Sequence, residues 1–322
     1  RIRMKNIFED VLFAVSREDH EIEASLVKKN NYKNLLTVCS GGCVPLSLNA
    51  IFPDLNIVAY DINPNQIDHC KKKTQAVLRK DFSILNIEEN RDQSLNQSGK
   101  FEEMFQVLRK SFIKNVTENK TIKTFFSTNT SKEIRKKIFA SWINHKNIKI
   151  PFQDTFSDIM IEKVFGDHAT KQGDTGSYVS YFQRKIMISF TKEKSHQNPF
   201  LQHIFLGYYK SENAFPYMDS KLSPTIQFFE GNVCDVPNLN GFDMISLSNL
   251  FDWSDESFII RCVRKLSNIN PGSSILLRQL NNYKDWSLFF GDGFIEDKAF
   301  DKYWQEKDRS LFYDHFRLFI KV

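Results

Sequence analysis

Apolar positions open the chain at helical spacing. Ile7, Val11, Leu12, Val15, Ile22 and Leu26 recur every three or four residues over 7–27, which predicts one amphipathic helix, or two, packed ahead of a sheet. The charged run Arg17-Glu18-Asp19-His20-Glu21-Ile22-Glu23 reads as the solvent face of that helix, with closing over a ligand as the alternative. Leu35, Leu36 and Val38 then form a short apolar run, Ser40-Gly41-Gly42 breaks it, and apolar residues return at helical spacing from Val44 to Ile51 before Pro53. A second short run, Ile57-Val58-Ala59-Tyr60, ends on Asp61. Asn63 caps and Pro64 starts a further helix through Ile67, Cys70, Thr74, Val77 and Leu78. The rhythm is strand, glycine turn, helix, strand, acid, helix, which is half of a mononucleotide-binding fold.

From about 85 to 224 that rhythm stops. Residues 90–100 are polar, and 101–116, 131–144 and 178–190 read as helices between clusters of Gly, Asn, Asp and Pro. Strand patterns resume at 225–235 and 242–249, followed by a helix over 255–266, a turn at Pro271-Gly272, a strand at 273–279 and a closing hairpin or edge strand over 309–322. The predicted fold class is α/β: a methyltransferase-like doubly wound, Rossmann-type sheet with a large, mainly helical insertion. Its expected parts are an N-terminal helical segment (1–33), the first half of the sheet domain (34–84), the insertion (85–224) and the second half (225–322). Such an insertion builds an acceptor pocket above the carboxyl ends of the strands.

Gly41 and Gly42 let backbone approach a ligand, and the helix that follows offers free amides. Asp61, twenty positions after Gly41, stands where a carboxylate accepts the ribose hydroxyls. The loop lacks the full G-x-G-x-x-G pattern of a pyrophosphate site, so a nucleoside donor without phosphates, S-adenosylmethionine, fits better. A chain of 322 residues that is 41% hydrophobic can bury a large core. No apolar run reaches the length of a membrane span, and Arg1-Ile2-Arg3-Met4-Lys5-Asn6 lacks a leader's apolar centre, so the expected location is cytoplasmic. The five cysteines form no Cys-x-x-Cys pair, which suits reduced thiols and no metal. Net charge is only +5, yet residues 100–149 carry twelve Lys and Arg against four Glu. That excess would attract anionic lipid headgroups or, with Phe125, Phe126, Phe139 and Trp142 interleaved, single-stranded nucleic acid; nucleic acid ranks last because it leaves Gly41 and Asp61 without a purpose.

The series Ser40-Gly41-Gly42-Cys43, Asp61-x-Asn63-Pro64-x-Gln66, Phe165-Gly166-x-x-Ala169-Thr170, Asn198-Pro199-Phe200, Gly207-x-Tyr209, Ser248-Asn249-x-x-Asp252-Trp253 and Arg278 resembles the BtaA-like family of S-adenosylmethionine:diacylglycerol 3-amino-3-carboxypropyltransferases, over about 10–316. The sequence departs from that pattern at Val44-Pro45, where the family loop usually continues with Asn. The resemblance implies betaine-lipid synthesis: an acceptor hydroxyl, that of diacylglycerol, attacks the γ-carbon of the donor's methionine arm and methylthioadenosine leaves. It also implies a peripheral membrane contact and a downstream N-methyltransferase as partner.

On that reading the backbone of Ser40, Gly41 and Gly42 approaches the donor, Asp61 holds the ribose, and Asn63 and Gln66 lie nearby. Asn232 and Val233 meet the adenine, and Ser248 and Asn249 sit beside the reacting carbon. Asp252 serves as base or ammonium partner, and Arg278 pairs with the donor carboxylate. His168 and His315 are candidate bases, and Tyr178 and Tyr313 candidate hydrogen-bond donors on the acceptor side. A methyltransferase acting on a small molecule is the alternative, since fold and donor support both.

Overall fold

Seven short strands, β1 (Asn34–Val38), β2 (Asn56–Asp61), β3 (Ile226–Glu230), β4 (Met244–Ser246), β5 (Ser274–Gln279), β6 (Phe294–Glu296) and β7 (His315–Lys321), pair into one sheet in the order β3-β2-β1-β4-β5-β7-β6. The computed structural model describes residues 10–91, 94–166, 169–219 and 224–322. β1 to β5 run parallel, and β7 lies antiparallel between β5 and β6. Strand order reverses between β1 and β4, which opens a crevice at their carboxyl ends.

Side chains of the central strands alternate between two cores. Leu35, Met244 and Leu276 face one; Leu36, Ile245, Ile275 and Leu277 face the other. Every residue of β5 is buried, as expected of a strand covered on both faces. On the first face pack α1 (Glu21–Asn30), α2 (Cys43–Ile51) and α3 (Pro64–Leu78), through Ile22, Leu26, Val44, Leu48, Ile67 and Cys70. The caps read from sequence form as expected: Asn63 accepts the amide of Asn65 at 3.0 Å with Pro64 at the first helical position.

The same core continues into the helices between α3 and β3: α4 (Lys100–Asn115), α5 (Asn119–Phe126), α6 (Lys132–Ile143), α7 (Lys149–Phe156), α8 (Asp158–Phe165), α9 (Tyr178–Ser189) and α10 (Pro199–Leu206). Phenylalanine fills it, with Phe156 stacked on Phe182 at 4.4 Å. Phe125, Phe126 and Trp142 are buried and crowd around Phe190. These three are therefore core residues, not stacking platforms beside the basic surface, while Phe139, partly buried, stacks on Phe190 at 5.8 Å. On the second face packs α11 (Glu256–Leu266), through Ile259, Cys262 and Val263. α12 (Lys298–Lys307) leads from β6 into β7.

Two expectations are corrected. Residues 10–20 are not helical; the N-terminal helix begins at Glu21. The charged run is not its solvent face either, because Arg17, Glu18, Asp19, His20 and Glu23 are all buried. The acids meet arginines from the far end of the chain, and the backbone of 10–20 is held by side chains of α3 and α4. Ile7, at the start of the predicted helix, lies outside the described residues. Among the described residues no helix is long and apolar enough to cross a membrane.

Candidate functional site

The turns that leave β1 and β4 face each other across the point where strand order reverses, and each carries a serine in the left-handed region: Ser40 at φ 46° and Ser248 at φ 55°. A side chain avoids that conformation unless its surroundings enforce it, and such residues concentrate where backbone is aimed at a ligand. Gly42, at φ 78°, completes the first turn and caps α2, whose first-turn amides point out of the same edge. Asp61, the last residue of β2, ties this turn to the next: Oδ2 accepts the amide of Ser40 and Oδ1 that of Asn63, both at 3.0 Å. Burial pushes its carboxyl up to about 6, against the pull of those amides.

Over this edge runs the segment 10–20. Its Asp10 carbonyl accepts from Asn63 Nδ2 at 2.9 Å, and the amides of Leu12 and Phe13 donate to Gln66 Oε1 at 2.6 and 2.9 Å. Gln66 Nε2 in turn donates to the carbonyls of Phe13 and Ser40. Ala14 donates to the buried Glu102 of α4 at 2.6 Å. The segment then passes so close to the glycine turn that a Cβ on Gly41 would lie 2.3 Å from the Val15 carbonyl carbon. Gly41 is glycine because the chain's own strap rests on it. Asn63 and Gln66, expected near the donor, bind the strap, and the Gln66 amide makes two bonds at each end to backbone. Lys73, fully buried, supports the turn from below by donating to the Gly41 carbonyl at 2.5 Å.

Glu18 carries the strap on to β4. Its Oε1 is bonded by Ser248 Oγ and lies 3.3 Å from the hydroxyl of Tyr313, while Oε2 is 3.3 Å from Arg278 Nη1. Burial raises its carboxyl, although Arg278 works in the opposite sense. Arg278 differs from its expected role. Its guanidinium is fully buried and clasped by Glu23, Nη1 to Oε1 at 2.7 Å and Nη2 to Oε2 at 2.9 Å, so it is committed before any donor carboxylate arrives. Burial works to raise the Asp19 carboxyl, yet Arg309, bonded to both of its oxygens, brings it below the usual range.

Asp252 follows Ser248 and Asn249 in the turn after β4 and is 8% exposed. Burial pushes its carboxyl up to about 7, partly offset by Asn282 Nδ2 and the Leu280 amide, each at 2.8 Å, and by the side chain of Asn249. Asn282 also lines a cleft of about 790 Å³ between α9 and the loop 281–284. Asn232 accepts the amide of Cys234 at 2.9 Å in the turn after β3, and Val233 beside it is buried. Tyr178 donates to the Ala169 carbonyl at 3.1 Å. His315, expected as a base, opens β7 with Nδ1 turned to Asp301 of α12 at 2.9 Å, and that carboxylate raises its basicity. It is an ion-pair residue. His168 lies outside the described residues.

The edge thus assembles Ser40 with Asp61, Ser248 with Glu18 and Tyr313, and Asn249 with Asp252 and Asn282. Lys73 and Asn282 were missed as site residues, and the sequence marks Glu18 only as part of a charged run that could close over a ligand. Three carboxyls, Glu18, Asp61 and Asp252, stand at this edge, where the nearby cation Arg278 is shared between Glu23 and Glu18. That balance suits a cationic ligand, whose charge would favour the ionised form of each acid. No family model matches the chain, and neither the curated proteins nor the solved structures contain a match to it.

Proposed function

We propose that the protein binds S-adenosylmethionine across the carboxyl edge of β1, β2, β3 and β4 and transfers its 3-amino-3-carboxypropyl group to a hydroxyl acceptor. The observation that carries this reading is Asp61 bonded to the Ser40 amide beside the strand-order reversal. An acid at the end of the second strand of a 3-2-1-4-5 sheet supports a ribose contact there. The antiparallel β7 between β5 and β6 supports the finer class, a methyltransferase-like doubly wound fold. The donor's sulfonium and ammonium match the three acids of the edge. In this reading Asp61 accepts the ribose hydroxyls, the turn after β3 at Asn232 and Val233 borders the adenine, and Glu18 with Ser248 meets the amino-acid arm.

The motif resemblance favours the γ-carbon over the methyl as the transferred centre and names diacylglycerol as the acceptor. The acceptor oxygen forms a bond to the γ-carbon while the carbon–sulfur bond breaks, its electron pair staying on sulfur. Methylthioadenosine leaves as a neutral thioether, so no acid is needed, but the hydroxyl proton must go to a base. Asp252 is the base. Its basicity lies near neutral pH, where a general base combines availability with strength. Incubating the protein with S-adenosylmethionine and candidate acceptors tests the reading. Methylthioadenosine with a homoserine ether supports it, and S-adenosylhomocysteine as the sole nucleoside product replaces it with methyl transfer.

A further inference from the structure

The cleft that Asn282 shares with the Asp252 turn has an apolar wall at Ile143 and Met187 and carries a group of cations. Lys149 at the start of α7, Arg184 on α9 and Lys284 after β5 converge on it from three separate elements, against one acid, Asp174. Among the described residues neither Lys149 nor Lys284 forms an ion pair, and Lys284 Nζ lies over the ring of Trp286 at 5.8 Å. Arg184 lies over the ring of Tyr181 at 5.4 Å and reaches Asp314 only at 3.7 Å. Cations gathered around one cavity repel each other, and an anion bound among them removes that repulsion; a guanidinium beside two ammonium groups matches the oxygens of a phosphate. The cleft also joins the proposed chemistry. Asn282 both lines it and donates to Asp252 at 2.8 Å, and the Lys284 charge is the least of the influences that lower the Asp252 carboxyl.

We infer that this cleft is the acceptor site and that the acceptor carries a phosphate-type anion next to its reacting hydroxyl. The inference rests on the transfer reading above and departs from it in one respect: neutral diacylglycerol lacks the anion. The reaction balances as before, with the ether oxygen supplied by the acceptor and its proton passing to Asp252. The charge that Lys149, Arg184 and Lys284 recognise sits on either a phosphoglycerolipid headgroup with a free hydroxyl or a soluble phosphate ester.

The test measures methylthioadenosine release from the full chain with four acceptors: glycerol 3-phosphate, glycerol, phosphatidylglycerol in phosphatidylcholine vesicles, and diacylglycerol in the same vesicles. Either phosphate-bearing compound should exceed its neutral counterpart at least tenfold in kcat/KM. Which of the two does so identifies the source. The triple variant Lys149→Gln/Arg184→Gln/Lys284→Gln, all exposed positions, should bring that ratio close to one, with circular dichroism confirming its fold. Diacylglycerol used as well as phosphatidylglycerol, or a ratio the triple variant does not change, overturns the inference. If no acceptor releases methylthioadenosine, the transfer reading falls, and titration calorimetry decides on the cleft alone. Binding of glycerol 3-phosphate that weakens at least tenfold in the triple variant sustains the anion site, and no binding to the parent protein overturns it.

Discussion

Glu23 of α1 and Arg278 of β5 form a two-point ion pair, 2.7 and 2.9 Å, inside the protein at the carboxyl edge of the sheet. Removing Arg278 leaves the buried Glu23 carboxylate without its counter-charge. Arg278→Met is expected to lower stability by about 3–5 kcal/mol in urea denaturation at pH 7. The double variant Glu23→Leu/Arg278→Met should recover part of that loss, because the stranded carboxylate goes too. Equal stabilities of the single and double variants would show that the pair is not the structural contact described.

Gly41→Ala places a methyl group 2.3 Å from the Val15 carbonyl carbon and 2.5 Å from the Ser16 nitrogen. Both neighbours are backbone, so the strap must lift. We expect a loss of about 1–3 kcal/mol and faster proteolysis within residues 10–20. An unchanged cleavage rate there would mean that the strap does not rest on the turn.

Asp61→Ala removes the proposed ribose acceptor together with the clasp on Ser40 and Asn63. Calorimetry should show donor binding weakened about tenfold to a hundredfold, the range of a hydrogen bond to a charged group. Native affinity in the variant would remove the ribose role.

Asp252→Asn keeps the shape of the turn but not the base. Its kcat should drop by about 100-fold or more, with donor affinity little changed. In the parent protein kcat/KM should rise with pH and level off above about 7, the region to which burial moves this carboxyl in the free protein; the variant should lack that rise. Stability moves the other way. The folded state holds the Asp252 proton more tightly than the unfolded chain, so its contribution is complete below the ordinary aspartate range and disappears as pH rises through about 7. The variant should therefore melt above the parent at pH 8, and the gap should close in acid.

Donor binding should release protons near pH 6.5. Asp61 and Asp252 have been pushed up to about 6 and about 7, and a cationic ligand favours their ionised forms. Binding enthalpies measured in buffers of different ionisation enthalpy would then differ at pH 6.5 and agree at pH 9. Equal enthalpies at both pH values would mean that neither acid faces the donor's charge.

The central half-fold was legible because its signals are local. The change from strand run to glycine turn to helical spacing locates β1 and α2, and Asn63-Pro64 marks the start of α3 within a residue. Segment 10–20 was not legible, because its apolar positions continue the period of α1 while its backbone is held by Gln66 and Glu102. The role of Arg278 misled for a related reason. A lone arginine at the end of a buried strand reads as free for a ligand when its acids lie on a segment expected to face solvent. β6, three residues long, is too short to leave a pattern.

The distances along the chain between these partners carry a consequence for how the protein comes into being. Glu23 waits for a residue 255 positions later, and Asp19 for Arg309, 290 positions later. During synthesis the strap and its acids leave the ribosome long before either arginine exists, and contacts of such separation form slowly. The helices from α4 to α10 can gather their phenylalanines while translation continues. The carboxyl edge, with Glu18, Ser248 and Tyr313, closes only after the last strand has been made.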